Sequence, residues 1–338
     1  MSQAFASAAA FEQALGALRP VDASAREAAA ARQDVLTKPR GSLGRLEEIA
    51  LFLAGWQGRG RPRLDHGRVA VFAGNHGVAA RRVSAFPAEV TAQMVANFEA
   101  GGAAINALAG AAGLELLVVP IDLDRPTADF VEAPAMSAAE CLSALNQGAA
   151  VVERGLDLLV LGEMGIANST AAAALAAASF GGGAREWVGP GTGVHGSAFE
   201  AKVAAVDAAL TRHAKAASGA FDILRRLGGR EIAAIAGAVL AARQAAVPVL
   251  LDGFICCSGV APLAATNPDI VGHCLAGHCS AEPGHARLLD RLGLNPILSL
   301  GMRLGEGSGA AVAASVVRAA IATHDQMASF AEAGVSEA

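Results

Sequence analysis

The chain has 338 residues, 53% of them apolar and only 4% aromatic, with no tyrosine and a formal net charge of −5. This is enough apolar material for one large domain with a small appendage, and it excludes intrinsic disorder. The scarcity of aromatic side chains and the net negative charge argue against nucleic acid as a partner, because stacking platforms and polyanion contacts are both lacking.

Three helical patterns open the chain: AFEQALGALRP, ASAREAAAARQDVLTK and GSLGRLEEIALFLAGWQG. No strand candidate precedes Arg68. The first twenty residues lack a basic stretch and contain Glu12, so a secretory signal is not expected. Residues 1–60 therefore read as a small helical domain. A last helix over Thr323–Ala333 brings residues 324–338 to it, and residues 61–323 form the large domain.

From Arg68 onward, short apolar runs end in glycine or a small polar residue. They are RVAVFAG (68–74), LELLVVP (114–120), LDLLVLG (156–162), VPVLLDG (247–253), DIVGHCLAG (269–277) and NPILSLG (295–301). Most lack two-residue alternation, as expected of strands buried on both faces. Helical patterns separate them, over 88–109, 137–154, 169–179, 196–217 and 230–245. The order predicts an α/β fold: a parallel, Rossmann-like sheet of about six strands flanked by helices, plus the small helical domain from the chain ends. The longest apolar stretch, Ile232–Leu251, is broken by Arg243, Gln244 and Pro248, so it reads as a helix and a strand, with no membrane span. Five cysteines without framework spacing fit reduced thiols in the cytoplasm.

In such sheets, ligands sit at the carboxyl ends of the strands. Five runs end there in polar or glycine-rich sequence: GNHG, GEMG, DGF, GHCS and GMRLGEG. That convergence points to a small-molecule site. VGPGTGVHGSAFEAK (188–202) is a glycine-rich turn entering a helix, where backbone N–H groups and Lys202 suit a phosphate. It lacks the Gly-Lys-Ser/Thr of a P-loop and the third glycine of a dinucleotide fingerprint.

Glu163 directly follows a buried strand, and Asn168 or Ser169 is the expected N-cap of the alanine-rich helix beyond it. His76 is a strand-end histidine with two readings, catalytic or bonded to loop backbone. His273, Cys274, His278 and Cys279 lack zinc-ligand spacing, and the cysteines read as small buried apolar residues. Glu306, between Gly305 and Gly307, also has two readings. It complements the dipole of the following helix, or it faces a pocket where burial raises its pKa towards that of a working base.

Taken together, TKPRGSLGRLEEIA, GNHGV with FPAEVTAQMVANF, GEMGIANST, VGPGTGV, LDGF and HCSAEPGHARLLDRLGLNPILSLGMRLGEGSGAA resemble one family. It is the nicotinate-nucleotide–dimethylbenzimidazole phosphoribosyltransferases of cobalamin nucleotide-loop assembly, matched from about Thr37 to Ala320. The resemblance implies transfer of the 5-phosphoribosyl group from nicotinate mononucleotide to 5,6-dimethylbenzimidazole. The products are α-ribazole 5′-phosphate and nicotinate, with inversion at the anomeric carbon. It implies a homodimer that needs no metal or organic cofactor.

Residue by residue, the resemblance makes Glu306 the general base and Glu163 the carboxylate near the ribose. Gly165, Gly191, Lys202 and Ser280 match phosphate-holding positions. Met164 and Leu304 would wall the aromatic pocket, and Asp252 would face the same site. Phe86 and Met94 stand where some members carry serine and glutamine, which implies a more apolar base pocket. Lys38, Arg40 and Ser42 lie in a matching block to which the residues assign no role. Two rival readings use the same features: an NAD-dependent oxidoreductase and a non-catalytic nucleotide sensor.

Overall fold

The computed structural model describes residues 4–213 and 215–336. Five strands form one sheet: β1 (Gly67–Ala73), β2 (Glu115–Pro120), β3 (Leu158–Met164), β4 (Val249–Leu251) and β5 (Cys274–Ala276). All pairings are parallel, in the order β2-β1-β3-β4-β5.

Alternate strand residues point to opposite faces, and helices cover both, which is why the runs are apolar throughout. Ala70, Phe72, Leu159, Leu161 and Leu251 join a core with the helices Ala138–Ala150, Asn168–Phe180, Arg230–Ala245 and Phe254–Thr266. Val69, Val71, Val160, Leu250 and Leu275 join a second core with Arg45–Gln57, Ala104–Ala111 and Ser308–Gln326. The fold class matches the sequence expectation: α/β with a parallel sheet flanked by helices.

The sheet has five strands among the described residues, not about six. Residues 295–301 form no strand: Ile297 N donates to Ala276 O at the sheet edge, and Leu298 makes an isolated bridge with His278. Pro296 has no N–H to give, Gly301 turns the chain at φ 69°, and Leu300 is 60% exposed. Residues 269–273 form a 3₁₀ turn started by Asn267, whose side chain accepts the Asp269 N–H. The helix expected over 88–109 is two helices, Glu89–Glu99 and Ala104–Ala111, broken where Gly101 takes φ 78°. The last helical pattern also divides: Ser308–Gln326 ends before Met327, and the short Phe330–Ala333 starts anew with Ser329 as its cap.

The helix Ala8–Gly16 lies on Gly219–Leu227 through Phe11 and Phe221, whose ring centres are 6.3 Å apart. The chain ends meet where Thr37 N donates to Ala328 O and the Arg32 guanidinium donates to the carbonyls of His324, Asp325 and Met327.

From β1 the chain turns to β2 on one side, and from β3 it builds β4 and β5 on the other. The reversal falls between β1 and β3, so the helices beyond their carboxyl ends diverge and open a crevice there. Gly74 N donates to Met164 O across that point at 3.0 Å.

Candidate active site

A narrow cleft of about 90 Å³ opens at the carboxyl ends of β3, β4 and β5. Its walls include Glu163, Met164, Gly165, Gly191, Ser280 and Leu304, six of the residues singled out in the sequence. Lys202, Asp252 and Glu306 stand directly behind these walls. A larger groove between Arg19, Trp56, Arg154 and Gln244 lies by the start of β3, away from this chemistry.

Glu163 lies inside β3, one residue before its end at Met164, and is 5% exposed. Burial, reinforced by the charges of Asp252 and Glu231, pushes its pKa up to about 8, so at neutral pH its carboxyl holds a proton. The Asn168 side chain donates to its Oε2. That bond is why Asn168 is not a helix cap. The N-cap of Asn168–Phe180 is Ala167, at φ 73°, with no side-chain bond.

Glu306 precedes the Gly307 cap of Ser308–Gln326 and lies outside the helix. Gly305, Glu306 and Gly307 take φ values of 86°, 64° and 84°. Glycine accepts this conformation readily, whereas for glutamate it costs about 1–3 kcal/mol, a strain retained where the surroundings over-determine it. Here its N–H donates to Glu163 O at 3.2 Å, binding the two acids through the backbone. The Glu306 side chain is buried and its Oε2 has no partner. Burial raises its pKa, the Ile105 backbone N–H offsets part of that rise, and Asp252 adds to it. An unsatisfied, buried carboxylate oxygen of raised basicity suits proton acceptance.

Asp252 follows β4 and is buried. Its Oδ1 accepts the Ala310 N–H at 2.9 Å, filling one of the bare donors at the start of Ser308–Gln326. Its Oδ1 also lies 3.4 Å from His278 Nε2. Asp252 thus anchors the helix that follows Glu306.

Across the cleft, Lys202 is fully buried, and Nζ donates to Ser169 Oγ at 2.9 Å and Gly189 O at 2.8 Å. An ammonium has three donors, and these two bonds use two of them. Burial lowers its pKa to about 8, against the opposing charge of Glu282. A β-carbon on Gly191 would lie 3.0 Å from Ser169 Oγ and 3.4 Å from Lys202 Nζ, so the turn, the hydroxyl and the ammonium converge. Ser280 is held by His285, whose Nδ1 accepts the Ser280 N–H at 2.8 Å and lies 2.9 Å from Oγ. Burial drops the His285 pKa to about 3, so this ring is neutral with its proton on Nε2.

Met94 and Met164 border the core cluster that contains Ile105, on the Glu306 side. Phe86 is 49% exposed and neither it nor Met94 lines the cleft. Lys38 forms a buried 2.8 Å pair with Glu47 at the start of the third helix. His273 is buried in the core, with Nδ1 2.9 Å from Ile270 O and Nε2 3.0 Å from Val239 O.

Sequence reasoning gave no site role to six polar residues of the cleft wall: Asn168, Ser169, Thr192, His278, Glu282 and Arg303. His278 and Glu282 lie in the strand-end segment GHCSAE, where position alone could have found them. His76 follows neither simple reading: its Nε2 sits 2.6 Å from Glu231 Oε1, both side chains fully buried.

Two carboxyl groups tied together at the end of β3, across the cleft from a lysine and a glycine-rich turn, have the chemistry to suit an anionic small molecule and a proton transfer. Comparison with known proteins gives the class its name. Residues 18–335 match the family model described as Phosphoribosyltransferase. A nicotinate-nucleotide–dimethylbenzimidazole phosphoribosyltransferase of Novosphingobium aromaticivorans is 67% identical, over 98% of each chain. One of Mesorhizobium japonicum is 59% identical, over 93% of this chain and 94% of its own. The crystal structure of such an enzyme from Thermus thermophilus superimposes with a TM-score of 0.87 at 41% identity, covering 94% of this chain and 100% of its own. The chain belongs to this phosphoribosyltransferase family.

Proposed function

We propose that the protein transfers the 5-phosphoribosyl group of nicotinate mononucleotide to 5,6-dimethylbenzimidazole, giving α-ribazole 5′-phosphate and nicotinate for the lower ligand of cobalamin. The observation that carries the reading is the buried Glu306 carboxylate with Oε2 free, tied by its backbone to Glu163.

In this reading the phosphate lies against Gly165, Gly191, Ser280 and Lys202. One nitrogen of the benzimidazole attacks the anomeric carbon from the face opposite nicotinate. The carbon–pyridinium bond breaks, its electron pair goes to the nicotinate nitrogen, and the configuration inverts. The other benzimidazole nitrogen gives its proton to Glu306. The pyridinium charge of the bound nucleotide favours ionisation of Glu163, which then stabilises cationic character at the anomeric carbon. Met164 and Leu304 bound the aromatic base, and Met94 adds apolar surface on the Glu306 side. Phe86 reaches the base only with movement of its exposed loop.

The proposal extends to a homodimer in the cytoplasm. The five free cysteines support a reducing compartment. Among the described residues no helix is long and apolar enough to cross a membrane. A division into residues 61–323 and a small helical unit of 1–60 with 324–338 is supported by the Arg32 and Thr37 bonds to the C-terminal segment.

The test is to incubate purified protein with nicotinate mononucleotide and a panel of benzimidazoles and to follow nicotinate. Release that requires the base supports transfer. Nucleotide binding without release would assign a sensor instead, and a change of NADH fluorescence on titration would favour the oxidoreductase.

A further inference from the structure

The turn Pro268–His273 leads into β5, and the helix Arg230–Ala245 leads into β4, so both reach the amino ends of the strands, opposite the cleft. Between them and the third helix, Arg45–Gln57, runs a groove of about 650 Å³, within the size range of small-molecule sites. It shares no residue with the cleft. Val21, Leu51, Phe52 and Val271 give it apolar walls, together with the buried Trp56. Arg243 lines it as well and is only 6% exposed.

The Arg243 guanidinium lies over the Trp56 ring, 4.4 Å from its centroid, and Nε donates to Arg19 O at 2.7 Å. Its Nη1 is buried with no hydrogen-bond partner. A guanidinium keeps its charge in a protein and brings five donors, so a buried one with a bare nitrogen is costly unless something pairs with it. Burial lowers its pKa, as expected of a charge short of compensation. Gly272 borders that nitrogen. It is exposed and lines the groove, and a β-carbon on it would stand 2.9 Å from Nη1. Trp56 Nε1 donates to Gly272 O at 2.8 Å, which holds the turn against the stacked pair.

The charges around the groove select the ligand. Its other charged residues are Arg26, Glu48 and Asp269, and Glu48 is paired with Arg45 at 2.6 Å. Asp269 repels a second negative charge, so the site suits a monoanion better than a phosphate dianion. The planar fork of a guanidinium matches the two oxygens of a carboxylate. The apolar walls and the Phe52 ring suit an aromatic body.

We propose that this groove is a second ligand site, which takes aromatic monocarboxylates with the carboxylate on Arg243 beside Gly272. Nicotinate is a member of that class. None of the cleft residues takes part, so the site is independent of the transferase reading.

The test is calorimetric titration of the full chain with benzoate, and with benzamide as its neutral counterpart. The wild type should bind benzoate with a Kd on the order of 1 mM or tighter, and benzamide at least about tenfold more weakly. Gly272→Ala sets a methyl group against Nη1, and Arg243→Met removes the charge. Each should weaken benzoate binding about 10- to 100-fold, the range of one lost charge-assisted bond, and leave benzamide binding nearly unchanged. No saturable binding of benzoate by the wild type, equal affinity for benzoate and benzamide, or full benzoate affinity in the variants overturns the assignment. If circular dichroism shows that Arg243→Met does not fold, Gly272→Ala decides alone, since Gly272 is exposed and outside the left-handed region.

Discussion

Gly162 in β3 lies so close to Glu306 that a β-carbon on it would come within 2.6 Å of the Glu306 carbonyl carbon and oxygen. The glycine lets the loop carrying one acid cross the strand carrying the other. Gly162→Ala must push the Glu306 backbone away, and shifts on the order of 1 Å cost about 10²-fold in rate. The expected outcome is a kcat lower by about that factor, with destabilisation of about 1–3 kcal/mol from overpacking, read by urea unfolding. Full activity in the folded variant would show that the crossing does not set the position of Glu306.

Glu306→Gln keeps the shape and removes the proton acceptor. The loss expected for one general base is about 10²–10⁴ in kcat. KM for the nucleotide should change little, because Glu306 faces the benzimidazole in the proposed arrangement. Steady-state kinetics with each substrate varied in turn separates the two parameters.

The position of Glu163 makes stability depend on pH. Its folded pKa, about 8, lies above the ordinary value of 4.5, so the folded state holds a proton that the unfolded state releases between those values. Stability from this group is fully present below about pH 4.5 and declines as pH rises to about 8. Glu163→Gln removes that decline. The Tm of the variant should therefore gain on the wild type as pH increases from 5 to 8, and parallel Tm profiles would contradict the protonated state.

His76 and Glu231 form a buried pair beneath Gly165, with no water-exposed surface on either side chain. Removing one member leaves the other stranded, which costs about 3–5 kcal/mol. Glu231→Ala should lose that much stability in denaturant titration. Gly165 packs against Glu231, since a β-carbon there would meet Oε1 at 3.0 Å, so nucleotide affinity should fall as well.

The strands of the central sheet were legible because burial on both faces leaves continuous aliphatic runs, as in RVAVFA and LDLLVL. The strand-end positions of Glu163 and Asp252 followed from the same pattern. The segment 295–301 misled because its composition is that of a strand, whereas Pro296 and Gly301 confine its pairing to Ile297 and Leu298. Asn168 looked like a cap because capping is a local rule, and the competing acceptor, Glu163, becomes visible only when strand and helix are placed together. Arg303 gave no local signal, since its partner Gly191 is 112 residues away. The role of Glu306 stayed open in the sequence because first-turn acids and buried bases share the same surroundings in one dimension. Its left-handed backbone and unpartnered oxygen are properties of the fold.

The most direct measurement is a single-turnover experiment with enzyme in excess over nicotinate mononucleotide, in which nicotinate and α-ribazole 5′-phosphate are quantified after addition of 5,6-dimethylbenzimidazole. The account predicts equal amounts of both from the wild type and a rate lower by about 10²–10⁴ in Glu306→Gln. Equal rates in the two proteins, or nicotinate formed without the ribosylated base, would contradict it.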